Sequence, residues 1–451
     1  MKATRLLLAL TVLAAGACTF NTTDPNNPSA IGTNPSKTEV AAAATGILQS
    51  ARNQASGWNL ITAILGREGY RFDGSEPRYI SELLQSPWDP GGFGAGAWLG
   101  FYQTIRSANQ LLDVVGTSSA LTAGEIQATR GFAETIKAHQ FMMILMGHSE
   151  DSIPYSVDIP FDAPPAPFLT NNAVWDSVAA RLDSAAAELT AAGGTAFPFP
   201  LPSGFSGFDT PATFLQFNRA LKGAVDVYRG SLYCGSSCST SALTEIAASF
   251  IDTSASADLF NGVYFNYSTN PGDLSNPLHQ NPQTGENIVH PSVHDSVGIK
   301  APADTDARYL AKVLTLNATR TGGNPARSTN FGWARWPSTD TPIPVIRNEE
   351  LILLRAEAEL AGGNTTGAAN DVNYVRMTSG GLDSIAGLSG QSASAILGAI
   401  LNERKYSRLY EGHRWFDMRR TGRINQLVKD FPADVIHDTY PIPIDEVNAR
   451  K

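Results

Sequence analysis

The chain has 451 residues, 42% of them apolar and only 17% charged, with a net charge of −9 and a pI near 5.3. That length can bury a sizeable core in one large domain or in two or three average ones. The acidic balance argues against a nucleic-acid partner, which needs a basic stripe, and no apolar run of bilayer-spanning length follows the N-terminus.

Residues 1–17 read as a targeting segment. Lys2 and Arg5 form a basic n-region, 6–15 are an apolar h-region, and Ala15-Gly16-Ala17 leads directly into Cys18. Small residues before a cysteine fit bacterial lipoprotein processing, so Cys18 is the expected lipidation site. The alternative is ordinary secretion with Cys18 incidental. Several acyl chains on one cysteine anchor stably where a single chain is marginal. Residues 18–37 are rich in Asn, Pro, Ser and Thr and read as a flexible tether, which leaves 38–451 as a single folded domain.

Helical patterning dominates its N-terminal half, 38–252. Segments 38–55, 99–115, 122–146, 172–191 and 211–228 carry apolar residues at helical spacing. Thr122 and Glu125 form a capping-box pattern, and Pro211 suits a first helical turn. Trp58 and Trp175 fall in helical context and are expected in the core. Cys234 and Cys238 lie in Cys-Gly-Ser-Ser-Cys. In an exported chain a disulfide is the default, a free pair and a metal site being the alternatives. The bridge closes a short loop, so its entropic contribution is small.

Periodicity fails between 253 and 344, a loop-rich insertion dense in Pro, Gly, Asn and Asp, and also in the loop 87–96. Long irregular stretches inside a compact domain are usually functional. The C-terminal half, 345–451, returns to helices at 346–361 and 367–379, which together span the period of a tetratricopeptide pair. It then reaches Leu401-Asn402-Glu403-Arg404 and Glu411-Gly412-His413-Arg414-Trp415-Phe416-Asp417-Met418-Arg419-Arg420. Charges of both signs interleave with rings, which reads as a structural ion network of Glu403, Arg404, Glu411, Arg414, Asp417 and Arg420. Glu403 is expected to pair with Arg404, and Asp417 with Arg420 or Arg414. A His413–Asp417 base-catalytic pair is the weaker reading.

This C-terminal run resembles the signature of the SusD/RagB family of outer-membrane nutrient-binding lipoproteins. Other segments fit in order: Glu350 with Arg355-Ala356-Glu357-Ala358, Asn373-Tyr374-Val375-Arg376, Tyr440-Pro441-Ile442-Pro443, and Tyr102, Ile105, Ala108 and Asn109. The resemblance implies an all-α fold, a SusD-like right-handed superhelix of tetratricopeptide-like helix pairs with long irregular loop insertions. It also implies a lipid-anchored protein of the outer membrane, surface-exposed, that binds a glycan or peptide and delivers it to a SusC-like TonB-dependent transporter. No enzymatic activity is implied. The chain departs from the family's common export pattern in that Asp24 is the first acidic residue after Cys18.

No Gly-x-Ser-x-Gly, His-Glu-x-x-His, phosphate-binding loop or dinucleotide fingerprint is present. No cofactor or metal is assigned: His290 and His294 share a loop, and Asp304, Asp306 and Asn317 do not match a calcium-loop spacing. Sugars are held by aromatic faces with polar side chains beside them. Trp88, Trp333 and Trp336, with Asn330 and Arg335, are therefore the expected ligand platform, the alternative being that the rings pack loops onto the scaffold. An exported glycoside hydrolase and an ABC-type solute-binding lipoprotein are the rival functions. The latter needs alternating strand–helix units.

Overall fold

Side-chain caps set most helix starts in the computed structural model, which describes residues 31–148, 153–160, 163–300 and 304–451. Helix α1 (Lys37–Leu65) begins with a capping box in which the Ser36 hydroxyl accepts from Glu39 and the Glu39 carboxylate accepts from Ser36. Helix α2 (Leu99–Val115) follows buried Trp98, and α3 (Ala123–Gly147) opens with the Thr122–Glu125 box foreseen above. Thr170 caps α4 (Asn171–Ala191), and Thr210 caps α5 (Pro211–Arg229), whose Pro211 sits where no amide donor is needed. Helix α6 (Ser239–Ala247) follows the Cys234–Cys238 disulfide, whose Cα atoms are 5.9 Å apart. Beyond the insertion come α7 (Asn348–Ala361), α8 (Thr365–Thr378), α9 (Ala393–Ser407) and α10 (Arg414–Arg420).

Each helix from α1 to α7 packs on its successor, and α7 also carries α8 and α9. With about 53% helix and 9% strand, the chain is all-α, built of tetratricopeptide-like pairs. It is not the alternating strand–helix architecture of an ABC-type receptor. Trp58, Trp175 and Trp415 are buried, as their context predicts.

The insertion is less irregular than its composition implies. Strands β1 (Gly69–Arg71), β2 (Gly262–Phe265), β3 (Asn287–Val289), β4 (Val313–Gly322), β5 (Arg327–Trp333) and β6 (Ile343–Arg347) form two antiparallel sheets. The larger has the order β1-β3-β5-β4, with Tyr70 opposite Ile288, Ile288 opposite Gly332 and Val313 opposite Trp333. The smaller pairs β6 with β2. Residues 313–333 are therefore one β-hairpin, and its far end lies against the segment that follows β1.

One boundary shifts. Residues 31–36, assigned above to the tether, already dock: Pro35 is buried, its carbonyl accepts from Ser118, and Asn34 bonds Thr117 and Ser119. Cys18 and the leader 1–17 lie outside the described residues. Near the other end, Tyr440 is wedged among Trp58, Trp88 and Trp415, with ring centroids at 6.0, 4.2 and 5.6 Å. Aromatic contacts of this kind add to area burial, and they fasten the Tyr440 segment to α1.

Candidate ligand-binding groove

The expected tryptophan platform does not exist. Trp88, Trp333 and Trp336 are 8%, 3% and 3% exposed. Trp88 packs on Tyr440 and His437, while Trp333 and Trp336 sandwich against Tyr410. Arg335 does not stand free beside them: it donates to Glu411 and lies 4.1 Å above the Trp336 ring. Asn330 is exposed on β5 but accepts from Thr319 across the hairpin. Apolar area drives rings of this size inward wherever long-range packing offers a slot, and Tyr410 and β1 supply one.

A different aromatic cluster faces outward. It is built by the segment after β1, the helical turn Arg78–Ile80, the loop 87–96 and the β4–β5 turn. Phe72, Tyr79 and Phe93 are half-buried. Phe72 stacks on Tyr70 at 5.3 Å, and Tyr79 meets Phe93 at 4.6 Å. The guanidinium of Arg71 lies 4.8 Å over Tyr79 and that of exposed Arg78 lies 5.2 Å over Phe93, as cation–π partners. Beside this cluster, between Phe72 and the hairpin turn, runs a groove of about 370 Å³, bordered by Arg71, Phe72, Asp73, Ile80, Thr321 and Asn324. Phe72 is the ring that lines it, and Tyr79 and Phe93 flank it through their contacts with Arg71 and Arg78. Gln85 donates to the Asn324 carbonyl and holds the turn in place. Gly322 must lack a side chain, because a Cβ there would meet the Phe72 ring at 2.5 Å.

The groove is polar as well as aromatic. Arg71 pairs with Asp73 at 3.0 Å and Glu286 at 2.8 Å, and Arg78 pairs with Glu76 at 2.7 Å. The bond from Arg71 holds the Asp73 carboxyl below its usual value, and the bond from Arg78 does the same for Glu76. Both are anionic acceptors at neutral pH. Burial raises the Tyr79 hydroxyl, so it remains a donor. Flat rings with guanidinium donors and carboxylate acceptors at their edges are the equipment for gripping a polyhydroxylated ring. The signal for this cluster was present in Arg71-Phe72-Asp73-Gly74 and Pro77-Arg78-Tyr79, where rings and charges alternate with turn-forming residues.

The C-terminal charges form a buried network, with some partners other than those expected. Glu403 bonds Arg308 at 2.5 Å and Arg376 at 3.1 Å rather than Arg404. Arg404 and Arg420 both bond Asp417, each at 2.8 Å, and Arg420 also pairs with Glu357. Among the described residues Arg414 makes no ion pair, and its side-chain hydrogen bond goes to the Leu401 carbonyl at 3.4 Å. Glu411 accepts from Arg335 and Arg347 and is ion-paired with Arg408 at 3.1 Å, with Lys312 at 3.9 Å. Burial alone would raise Glu411, but Arg347, Arg335, Lys312 and Arg408 outweigh it and hold the carboxyl well below the usual range. Burial and then Arg408 keep His413 neutral, and its ring bonds Arg408, so it forms no dyad with Asp417. His290 bonds Asp430 and His294 bonds the Tyr309 hydroxyl, so each already has its own partner. Asp306 is ion-paired to Arg308.

Residues 303–450, the stretch that holds this network, match the model of the SusD family. The chain has a SusD-like fold. Its fold matches a laminarin-binding SusD-like protein at 18% identity and TM-score 0.67, over 93% of this chain and 98% of that one. It also matches a SusD-like carbohydrate-binding protein from Bacteroides fragilis at 15% identity and TM-score 0.68, over 92% and 98%. Surface glycan-binding protein A from Bacteroides uniformis aligns at 15% identity and TM-score 0.64, over 87% and 90%. Comparison with curated protein sequences finds no match. Identities this low establish the SusD-like fold and leave the ligand to the chemistry of the groove.

Proposed function

We propose that this SusD-like chain binds an oligosaccharide in the groove beside the Phe72–Tyr79–Phe93 cluster, at the β4–β5 turn, without cleaving it. The observation that carries this reading is that these rings stay half-exposed among ion-paired arginines, while the chain's other large rings in this region are packed away. A sugar face approaching Phe93 would displace the exposed end of Arg78, whose guanidinium would then donate to hydroxyls. The carbohydrate-binding names of the structural neighbours support the same reading. In this proposal Cys18 carries the lipid anchor at the outer membrane, surface-exposed, and a SusC-like TonB-dependent transporter receives the glycan.

A glycan array followed by calorimetric titration tests it. Tyr79→Ala and Phe93→Ala are each expected to weaken binding by about 2 kcal/mol, roughly thirtyfold, with little change in melting temperature. Unaltered affinity in both variants would move the site elsewhere. New reducing ends after incubation would replace binding by hydrolysis, a reading to which the carboxylates Asp73, Glu76 and Glu82 around the rings give some basis. Membrane retention after a carbonate wash, lost in Cys18→Ala, tests the anchor, and co-purification with a barrel protein tests the partner.

A further inference from the structure

Three cations and two carboxylates, Asp295 and Asp430, line a second cavity, yet none of the three cations is ion-paired among the described residues. The cavity has a volume of about 480 Å³ and lies between the C-terminal end of α1, the helical turn at residues 290–296, the α9–α10 region and the irregular segment 426–430. Arg67, Lys405 and Arg414 border it, with the hydroxyls of Ser292 and Ser296. No carboxylate among the described residues comes within ion-pair distance, 4.0 Å, of any of the three. Arg67 is 3% exposed and spends its donors on the carbonyls of Ile64, Leu65, Val428 and Val435, which satisfy its hydrogen bonds but not its charge. Among the described residues the Arg414 side chain has only the long bond to Leu401. Lys405 donates to the Ser296 hydroxyl at 2.6 Å and reaches the Ser292 carbonyl at 3.4 Å.

The nearest acids do not resolve the imbalance. Asp430 is shared among Tyr70, His290 and Arg327. Asp295 lies at the exposed rim. Glu68 is 1% exposed with neither carboxylate oxygen hydrogen-bonded, and burial pushes it up to about 8 against the pull of Arg414 and Lys405. It is therefore mostly neutral at pH 7. Desolvation lowers Arg414, brings Arg67 down to about 10, and with Arg414 nearby brings Lys405 down to about 7. Elsewhere in the C-terminal half, buried arginines such as Arg347, Arg404 and Arg420 sit on carboxylates. Uncompensated buried charge is costly, and converging guanidinium and ammonium donors with two hydroxyls are suited to an oxyanion.

From this arrangement we infer that the Arg67–Lys405–Arg414 cavity is a second ligand site, one that takes a tetrahedral oxyanion, the sulfate or phosphate group of a charged small ligand. It stands independently of the aromatic groove, although β1 joins the two: Arg67 precedes that strand, Arg71 ends it, and Tyr70 between them bonds Asp430 and stacks on Phe72. The cavity is larger than a bare ion, with room for the group that carries it.

The groups facing Lys405 are Arg414, Glu68, Asp295, Tyr406, His290 and the two serines. Of these, Lys405 and Glu68 change charge near neutrality. A bound anion favours protonated Lys405. Affinity therefore approaches its full value about one pH unit below 7 and falls by up to about tenfold per unit above 7, and ionisation of Glu68 near pH 8 acts in the same direction.

Calorimetric titration of the full chain with inorganic phosphate, glucose 6-phosphate and glucose 6-sulfate, with glucose as control, tests this at pH 6 and pH 8.5 in constant salt. The expected result is saturable one-site binding of the esters or the free ion, absent with glucose and, for the sulfate ester whose charge is constant over this range, weaker at pH 8.5. Tighter binding of the glucose esters than of phosphate would identify a substituted sugar, and the reverse a free ion. Arg414→Gln should weaken it at least tenfold, whereas Lys405→Arg should keep it and reduce its pH dependence. No saturable binding of any of the three anions to the native chain overturns the inference. So does binding that is undiminished in Arg414→Gln, or a pH dependence unchanged in Lys405→Arg. If Arg414→Gln fails to fold by circular dichroism, the Lys405→Arg comparison decides alone.

Discussion

Glu411 carries three guanidinium groups, and its removal would leave Arg335, Arg347 and Arg408 facing one another with no anion between them. Breaking a buried ion network by deleting one partner typically costs about 3–5 kcal/mol. Glu411→Ala should therefore lose about that much in urea unfolding, while the protein that remains folded binds glycan with unchanged affinity. The same network sets an acid limit. Arg347 and its neighbours depress Glu411, and Arg404 and Arg420 depress Asp417 against the opposing effect of burial. Carboxyls lowered in the folded state stabilise it above their unfolded values, near 4.5 and 3.8, and lose that contribution as pH falls toward the folded values. Melting temperature measured against pH should fall steeply below about pH 4.5. In Asp417→Asn the curve should start lower and descend less steeply, because one of the two titrating groups is gone.

At the scale of elements, the hairpin β4–β5 decides which rings are core and which are surface. Its base buries Trp333 against Tyr410, and its far end bounds the groove beside Phe72. Trp333→Ala should cost about 3–5 kcal/mol in chemical unfolding, as large-to-small core changes do, in contrast to the near-neutral stability expected for Phe93→Ala. Gly94 is a second control point. A Cβ there would meet Pro441 at 2.4 Å and the Asp89 carbonyl at 2.6 Å. Gly94→Val should displace the loop that carries Phe93 and abolish glycan binding, while circular dichroism keeps its helical signature. Sequence patterning revealed the helices because their starts carry side-chain caps and their apolar residues recur every turn. It did not reveal the sheet. Gly69–Arg71 and Asn287–Val289 are three residues each, too short for a period-two pattern, and their pairing spans more than 200 positions. The tryptophans were misplaced for the same reason. Gly, Pro and Asn around Trp333 imply exposure locally, whereas Tyr410, far along the chain, buries it. The aromatic groove was legible only as scattered rings beside turn residues, because β1 and the hairpin must meet before they form one surface.

Taken as a whole molecule, the N-terminal and C-terminal halves are stitched together at several independent points. Trp58 donates to the Gly412 carbonyl across 354 positions, Arg419 donates to the carbonyls of Met146 and Gly147, and the Tyr440 amide bonds Gly147. Contacts this widely separated leave no half able to complete its own core, so scanning calorimetry should show one transition rather than two. Two separated peaks would mean that α1–α6 fold independently of α7–α10. The position of Tyr440 has a further consequence for how the molecule is made. Translation proceeds from the N-terminus, so Trp58, Trp88 and Trp415 all emerge from the ribosome before the ring that fills the space among them. Trp58 and Trp88 wait through the synthesis of about 350 further residues without that partner, and the nascent chain must be kept from aggregating or folding wrongly until the 440s arrive. A chain ended at Thr439 should stay open to protease along α1 even when given hours to fold, and adding the missing segment as a separate peptide should restore protection.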